Sequence, residues 1–387
     1  MNKIANIMLG TIRAQVCGSE YVIGGRLSEE EMRALYVLSK SQDMAHIVSD
    51  ELSRQGLLGN DEISSKFKKQ QMLAVLRYER INYELTEICK VLENAHIRHM
   101  PLKGSVIRGY YPEPWMRTSA DIDMLIPDEE HERAKLTIAE KLGYEIGERH
   151  EHDVSMFAPS GVHLELHFGT IEAYCSVNAK SVMDNVWQNA RPKSGYEYQY
   201  VLSDELFYFY HIAHMAKHFE YGGCGVRFYL DLWLLNIKTS LDPKIKEELL
   251  EQGGLQKFTK VSEELADVWF SGGGHNELTE LMQGHVLYNG VYGSKENNVA
   301  WQQISQGGQL KRAANLIFLP YAQMTVRYPK LEKRKLLLPF YHVCRWCSIV
   351  SRKRTKRSLN MLKENSEVAK QKTSDIKEML SKFDLIS

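Results

Sequence analysis

The pattern of the chain changes from helical to strand-and-turn near residue 96 and back near residue 203, and this change limits the fold most. Residues 65–93 contain no glycine or proline, and their apolar side chains recur at helical spacing. Residues 96–195 instead alternate short β-forming runs with turns. One short β-rich stretch between two helical regions argues against a long doubly wound sheet. We therefore expect an α+β fold with a small mixed sheet.

The β-rich stretch also predicts individual strands and helices. The turn signal Pro159-Ser160-Gly161 predicts a hairpin, and Gly143 is placed to end a helix. In chain order we expect strand 96–102, helix 105–110, strand 121–126, helix 128–142, and strands 153–158 and 162–167.

The length of 387 residues suggests two or three domains. In the first part, Ser28 and Glu31 have the spacing of a capping box, which predicts the start of a helix. The pattern divides the chain into a helical region 1–95, an α/β core 96–200, a helical domain 201–350 and a polar basic tail 351–387.

The composition excludes several classes of protein. Lysine plus arginine and aspartate plus glutamate both total 49, so the formal net charge is zero, and 43% of the residues are hydrophobic. These values exclude a disordered, highly charged chain, a collagen-like repeat and a disulfide-stapled miniprotein. No secretory signal and no membrane-spanning segment are expected.

The six cysteines are scattered along the chain. Without a secretory signal, this distribution predicts reduced thiols and a cytoplasmic protein. Cys344 and Cys347 form a CxxC pair, but no second pair or suitably spaced histidine pair accompanies them. We therefore expect buried small residues there, not a zinc site.

Three acidic residues form the first candidate site. Asp121 and Asp123 are two apart on an expected strand, so both side chains face the same side of the sheet. Glu165 lies on another expected strand, and neighbouring strands would bring the three carboxylates together. Such hard oxygen ligands suit Mg²⁺ or Mn²⁺. The alternative is an exposed polar face, with Asp121 capping a turn and Glu165 in a surface ion pair, and a lone Asp-x-Asp favours this alternative.

A candidate phosphate-binding turn, Lys103-Gly104-Ser105, separates an expected strand from a helix. Glycine lets the backbone approach a phosphate, and the start of a helix offers free N–H groups. Arg117, in the connection to Asp121, could face the same phosphates. A plain turn with a Ser105 cap and a solvated Arg117 are the alternatives.

Taken together, these motifs resemble the polymerase-β-like nucleotidyltransferase superfamily, and most closely its bacterial family of uncharacterised nucleotidyltransferases. The resemblance covers about residues 95–235 and is specific for the superfamily, not for the substrate. The matching positions are Leu102-Lys103-Gly104, Tyr111-Pro112, Arg117, Asp121-Ile122-Asp123 and Glu165-Leu166-His167.

The resemblance implies an α+β nucleotidyltransferase core that moves a nucleoside monophosphate from an NTP to an acceptor and releases pyrophosphate. Two Mg²⁺ ions would stabilise the attacking and leaving oxygens. The implied metal ligands and catalytic residues are Asp121, Asp123 and Glu165, and the implied nucleotide-binding residues are Lys103, Gly104, Ser105 and Arg117.

His163, Glu165 and His167 share one face of an expected strand, which could suggest a transition-metal site. Three alternate positions on one strand rarely surround a single tetrahedral metal. We therefore expect Glu165 to be the ligand, and His167 to support a ligand or to face the acceptor.

A second histidine group, His211, His214 and His218, falls on one face of an expected helix beside Lys217. Structural histidines on a half-buried face are favoured here. The alternative is a cleft wall, with Lys217 or Arg227 reaching the nucleotide.

The closer family often has a similar helix followed by an arginine and an aspartate four residues apart, which here match Arg227 and Asp231. The simplest expectation is an ion pair between them within one helix. The residues grouped as a possible cleft wall are therefore His167, His214, Lys217, Arg227 and Asp231.

The C-terminal region holds a strongly basic segment. Between Lys311 and Arg357 there are thirteen basic residues, and Glu332 is the only acidic one. Aromatic residues are interleaved with them. The segment could bind RNA, an anionic acceptor or a membrane surface, but a solvated helical face plus a tail is slightly favoured.

Three functions remain open at this stage. The leading hypothesis is a Mg²⁺-dependent nucleotidyltransferase acting on a hydroxyl of a small molecule or a protein. The first alternative is transfer onto RNA, as in a toxin-like tRNA-modifying enzyme, and the basic segment motivates it. The second is a non-catalytic nucleotide-binding protein. The expected partners are an NTP and an unknown acceptor, without stable membrane insertion, and the oligomeric state is open.

Overall fold

A computed structural model describes most of the chain. The described residues are 3–170, 178–291, 335–350 and 368–386, together with the single positions 293, 319, 321, 324, 328 and 331.

The N-terminal region is helical, as expected. The capping box is present: the Glu31 backbone N–H donates to the Ser28 hydroxyl at 3.1 Å, and the Ser28 N–H donates to the Glu31 carboxylate at 2.8 Å. Asp61 caps the longest helix by accepting from two backbone N–H groups. The helices are α1 (Lys3–Cys17), α2 (Glu29–Ser41), α3 (Ala45–Arg54) and α4 (Glu62–Asn94).

The middle of the chain forms a five-stranded mixed sheet in the order β1-β2-β5-β4-β3. β2 and β5 pair in parallel, and the other neighbours pair antiparallel, including the expected hairpin of β4 and β5. The strands are β1 (Met100–Pro101), β2 (Asp121–Leu125), β3 (Glu145–Arg149), β4 (Asp153–Phe157) and β5 (His163–His167).

Two strands differ from the expectation. β3 was not predicted: all five of its residues are exposed, so it shows no apolar alternation. β1 is shorter than residues 96–102, because Pro101 has no N–H for the ladder and the chain turns at Lys103. The middle helices are α5 (Gly104–Ile107), two 3₁₀ turns (Arg108–Tyr110 and Pro114–Met116) and α6 (Asp128–Leu142), which ends at Gly143 as expected.

The sheet has one apolar and one polar face. On the apolar face, Ile122 and Met124 of β2 lie beside Leu164 and Leu166 of β5, and all four are buried. This face joins a hydrophobic cluster with side chains of α4 and α6. The polar face, with Asp121, Asp123 and Glu165, is therefore turned away from α4 and α6.

The C-terminal helices share a second hydrophobic cluster with the N-terminal ones. This cluster includes Ile376, Leu380 and Phe383, so part of the expected polar tail is packed in the core. The remaining elements are α7 (Ala179–Met183), 3₁₀ turns Val186–Gln188 and Lys335–Leu337, β6 (Arg191–Pro192), β7 (Tyr200–Val201), α8 (Asp204–Glu220), α9 (Val226–Lys238), α10 (Pro243–Gly253), α11 (Gln256–Phe270), α12 (Glu277–Asn289), α13 (Leu338–Val350) and α14 (Val368–Ser381).

Two expectations concern membranes and anionic partners. None of the helices in the described part of the chain has the length and apolarity needed to cross a bilayer. Most of the basic segment 311–357 lies outside the described residues, and so do most of its cationic side chains.

Candidate active site

The parallel pairing of β2 and β5 brings the three acidic residues together. Asp123 lies opposite Glu165, and Asp121 lies opposite His163, two positions nearer the start of both strands. Residues opposite each other share a face of the sheet. Ligand atoms of Asp121, His163 and Glu165 lie within 4.8 Å of one another, and so do those of Asp123, Glu165 and His167.

The carboxylates strongly affect one another. Burial and then the negative charges of Asp123 and Glu165 raise the pKa of Asp121 to about 6. Burial also opposes ionisation of Asp123, but the Lys103 ammonium and a hydrogen bond from His167 hold the pKa of Asp123 well below its usual range. Positive charge beside the three carboxylates therefore favours their ionised forms.

Lys103 supplies part of that charge. Its Nζ lies 2.6 Å from Asp123 Oδ1, and His167 Nε2 lies 2.9 Å from the same oxygen. The Lys103 backbone is in the left-handed region, with φ 46°, which is unusual for a residue other than glycine. The next residue, Gly104, leaves little room, because a Cβ there would be 3.2 Å from the Ser119 Cβ. The turn is thus strained and tightly packed where it meets the carboxylates.

The polar face of the sheet forms one side of a cavity of about 560 Å³. Ligand sites commonly have roughly 300–1,000 Å³. The expected site residues that line this cavity are Lys103, Gly104, Arg117, Asp121, Asp123, Glu165, His214, Lys217 and Arg227.

A family model described as an uncharacterised nucleotidyltransferase matches residues 28–271, more than half of the chain. The chain belongs to this family. The match extends from the cap of α2 to the end of α11, so it includes the helices on both sides of the sheet as well as the sheet itself. The resemblance seen in the sequence and the expected α+β fold are confirmed. Neither the curated proteins nor the solved structures contain a match.

Ser105 does not line the cavity with the other expected site residues. It lines a second cavity, beside residues of α4, and Ser119 lies next to Gly104 in the main cavity. Arg108 donates a hydrogen bond to the Ser119 hydroxyl at 2.7 Å. The sequence did not point to Ser119, although it lies only two residues before Asp121.

Arg117 and Asp231 form a buried ion pair between the core and α9. Arg117 Nε lies 3.0 and 2.9 Å from the two Asp231 carboxylate oxygens, and the Tyr111 hydroxyl donates to Asp231 at 2.7 Å. Arg117 and Asp231 are 7% and 0% exposed. The expected Arg227–Asp231 pair within one helix is therefore wrong, because Asp231 turns inward to Arg117.

Arg227 contacts the N-terminal region instead. Its Nη1 lies 2.5 Å from Asp43 Oδ2, and the Thr118 hydroxyl donates to the same oxygen at 2.8 Å. Asp43 follows α2 in the left-handed conformation, with φ 55°, and lines the cavity. No local motif marked Asp43, because its partners lie 75 and 184 residues away.

The histidines of α8 take two roles. His211 Nε2 lies 3.1 Å from the Phe228 carbonyl oxygen, deep in the protein, which fits a structural histidine. His214 lines the cavity and lies 3.1 Å from His218. Burial and the neighbouring cations hold the pKa of His214 well below its usual range, so the ring is neutral. His167 and Asp231 do not line the cavity but hold Asp123 and Arg117, which do.

The donor set fits a divalent cation. Three carboxylates meet on one face of the β2–β5 pair, and Lys103 and His167 both contact the same oxygen of Asp123. Burial and the acidic neighbours raise the pKa of Asp121 to about 6, so the carboxylates disfavour one another's ionised forms. Hard oxygen ligands beside an open cavity are the arrangement that Mg²⁺ prefers.

Proposed function

We propose that this protein is a Mg²⁺-dependent enzyme that transfers a nucleoside monophosphate from an NTP to a hydroxyl of a small molecule or a protein. The observation that carries the proposal is the meeting of Asp121, Asp123 and Glu165 on one face of the β2–β5 pair, inside the cavity. Membership of the nucleotidyltransferase family supports the reaction class.

The proposal gives each carboxylate a role. Asp121 and Asp123 would hold two Mg²⁺ ions (or Mn²⁺) with the triphosphate, and Glu165 would complete the ligands on the acceptor side. Bound there, the ions would lower the pKa of the acceptor hydroxyl and stabilise charge on the attacking and leaving oxygens. Glu165 would also accept the proton of that hydroxyl.

The turn residues would bind the phosphates. Gly104 begins α5 at the cavity wall and lets the backbone approach. Lys103 now contacts Asp123, and its ammonium would move to a phosphate oxygen once a cation neutralises that carboxylate. Arg117, whose Nη1 donates to the Thr118 carbonyl at 2.5 Å, lines the same cavity and would support the phosphates. Ser105 would act on this site only through the turn, because it lines the other cavity.

On the helical wall, Lys217 and Arg227 would face the nucleotide, beside the neutral ring of His214. The acceptor is proposed to enter on the Glu165 side. We also propose a cytoplasmic location, which the free thiols of Cys17, Cys89, Cys224 and Cys344 support.

The test uses α-labelled NTPs with Mg²⁺ and separate pools of metabolites, proteins and RNA. Label is expected in a metabolite or a protein, with pyrophosphate released, and Asp121→Asn should abolish it. Asp128→Asn, an exposed carboxylate at the start of α6, is the matched control and should keep full activity.

Three other outcomes would contradict or change the proposal. Near-wild-type transfer by Asp121→Asn would contradict the assigned site. Label entering RNA would replace the proposed acceptor with RNA. Nucleotide binding without pyrophosphate release would favour a non-catalytic nucleotide-binding protein.

A further inference from the structure

A second group of ligands lies beside the carboxylates, at the end of the sheet where β4 begins. Asp153 of β4 is the cross-strand partner of His167 of β5, and His152 directly precedes Asp153. His152, Asp153 and His167 each offer one ligand atom, and these atoms lie within 4.8 Å of one another. The rings of His152 and His167 are stacked, with centroids 5.3 Å apart. His152 Nε2 is 3.3 Å from Asp153 Oδ2.

Two buried atoms of this group lack hydrogen bonds. Asp153 is 4% exposed, and its Oδ1 has no hydrogen-bond partner among the described residues. His167 is 1% exposed, and within the described part of the chain its Nδ1 has none either. Buried polar atoms are normally paired, and an exception calls for an explanation such as an ion.

The contacts of His167 direct one nitrogen toward a cation. Its Nε2 lies 2.9 Å from Asp123 Oδ1, so Asp123 holds a proton on Nε2. Histidines that bind metals commonly donate their other N–H to a carboxylate in this way. With that proton on Nε2, Nδ1 is the ring nitrogen whose lone pair is available to a cation.

We propose that His152, Asp153 and His167 bind one first-row transition-metal cation of the zinc class. Two imidazole nitrogens and one carboxylate are the donors that Zn²⁺ selects, whereas Mg²⁺ prefers oxygen. His152 and Asp153 line the cavity, so a fourth position is open to water or substrate. These three ligands share only His167 with the carboxylate site, and His167 would use Nδ1 here and Nε2 toward Asp123. A metal at this position is a separate proposal from the transfer reaction.

The test is a titration of the metal-stripped full chain with Co²⁺, followed by visible absorption, with Zn²⁺ competition and equilibrium dialysis for stoichiometry. One Co²⁺ per chain is expected to give the intense bands of a tetrahedral site, and Zn²⁺ should displace it. His152→Ala and Asp153→Asn should each remove these bands and weaken binding by about 100-fold or more. His150→Ala, an exposed histidine two residues before His152, is the matched control and should bind as the wild type does.

Two results would overturn the proposal. One is the absence of a tetrahedral Co²⁺ spectrum in the wild type. The other is a spectrum that Asp121→Asn removes while His152→Ala and Asp153→Asn keep it, which would assign the ion to the carboxylate site. Circular dichroism checks that each variant is folded. If Asp153→Asn does not fold, the test rests on His152→Ala, because His152 is only half-buried. The readout needs no nucleotide, so failure here and failure of the transfer reaction are separate results.

Discussion

The two walls of the cavity carry opposite charges and differ in how those charges are paired. The helical wall is formed by α8, α9 and the connection before β2, and its Arg117 and Arg227 already pair with Asp231 and Asp43 of the protein itself. On the strand wall, three carboxylates share one lysine and one histidine, and Asp121 carries a raised pKa as a result of burial and its acidic neighbours. The two arginines of the helical wall are therefore paired within the protein, whereas the clustered carboxylates of the strand wall oppose the ionisation of Asp121.

The largest expected effect is on the helical wall. Arg117→Ala leaves the Asp231 carboxylate buried without its charge partner, so we expect a loss of about 3–5 kcal/mol in the free energy of unfolding. Urea denaturation measures this loss. Arg33→Ala, which removes an exposed pair with Glu29, is the control and should cost about 0.5 kcal/mol or less. If Arg117→Ala lowered the free energy of unfolding as little as Arg33→Ala does, Arg117 and Asp231 would not form the buried ion pair described.

On the strand wall, removing a charge should stabilise the protein instead of destabilising it. Asp121→Asn should abolish transfer, yet in EDTA it should raise the free energy of unfolding by an amount on the order of 2 kcal/mol at pH 7. The reason is that the folded protein raises the pKa of Asp121 from 3.8 to about 6. Between these values the folded state binds more protons than the unfolded state, so the wild type loses stability as pH rises.

The change of this stability difference with pH tests whether the raised pKa of Asp121 is its cause. The advantage of Asp121→Asn over the wild type should be absent below about pH 4, grow toward pH 6 and then level off. Added Mg²⁺ should stabilise the wild type and reduce the difference. A difference that does not change between pH 4 and pH 7 would show that the carboxylates do not repel one another as described.

A smaller effect is expected at the strained turn. Lys103 has φ 46°, so Lys103→Gly should be more stable than Lys103→Ala by about 1 kcal/mol, although both lose the ammonium. Thermal denaturation compares the two variants. Both should also lose much of their transfer activity. Equal stabilities would mean that the turn relaxes without strain.

The smallest effect is expected at the pair of Arg227 and Asp43, which is more exposed than the Arg117–Asp231 pair. A double-mutant cycle with Arg227→Gln and Asp43→Asn should give a coupling energy of about 1 kcal/mol, below that of the Arg117–Asp231 pair. Coupling as large as in the buried pair would remove the distinction between the inner and outer parts of the helical wall.

The same two walls show what a sequence can predict. Asp121, Asp123 and Glu165 stand on strands with period 2, so their common face follows from local spacing once β2 and β5 are neighbours. The partners on the helical wall are 114 and 184 residues apart, and nothing local selects Asp231 for Arg117 over the nearer Arg227. Local spacing therefore predicted the common face of the three carboxylates. On the helical wall it predicted the wrong partner for Asp231, which pairs with Arg117 and not with Arg227.

Asp43 also limits how this protein could be shortened. It stands after α2, yet its carboxylate accepts from Thr118 and Arg227 and forms part of the cavity wall. A fragment beginning at residue 96 would keep every carboxylate of the strand wall but would leave Arg227 without its partner and remove α1–α4 from both hydrophobic clusters. The cavity is thus a product of the N-terminal helices as well as of the sheet, and the strands alone do not form its whole wall.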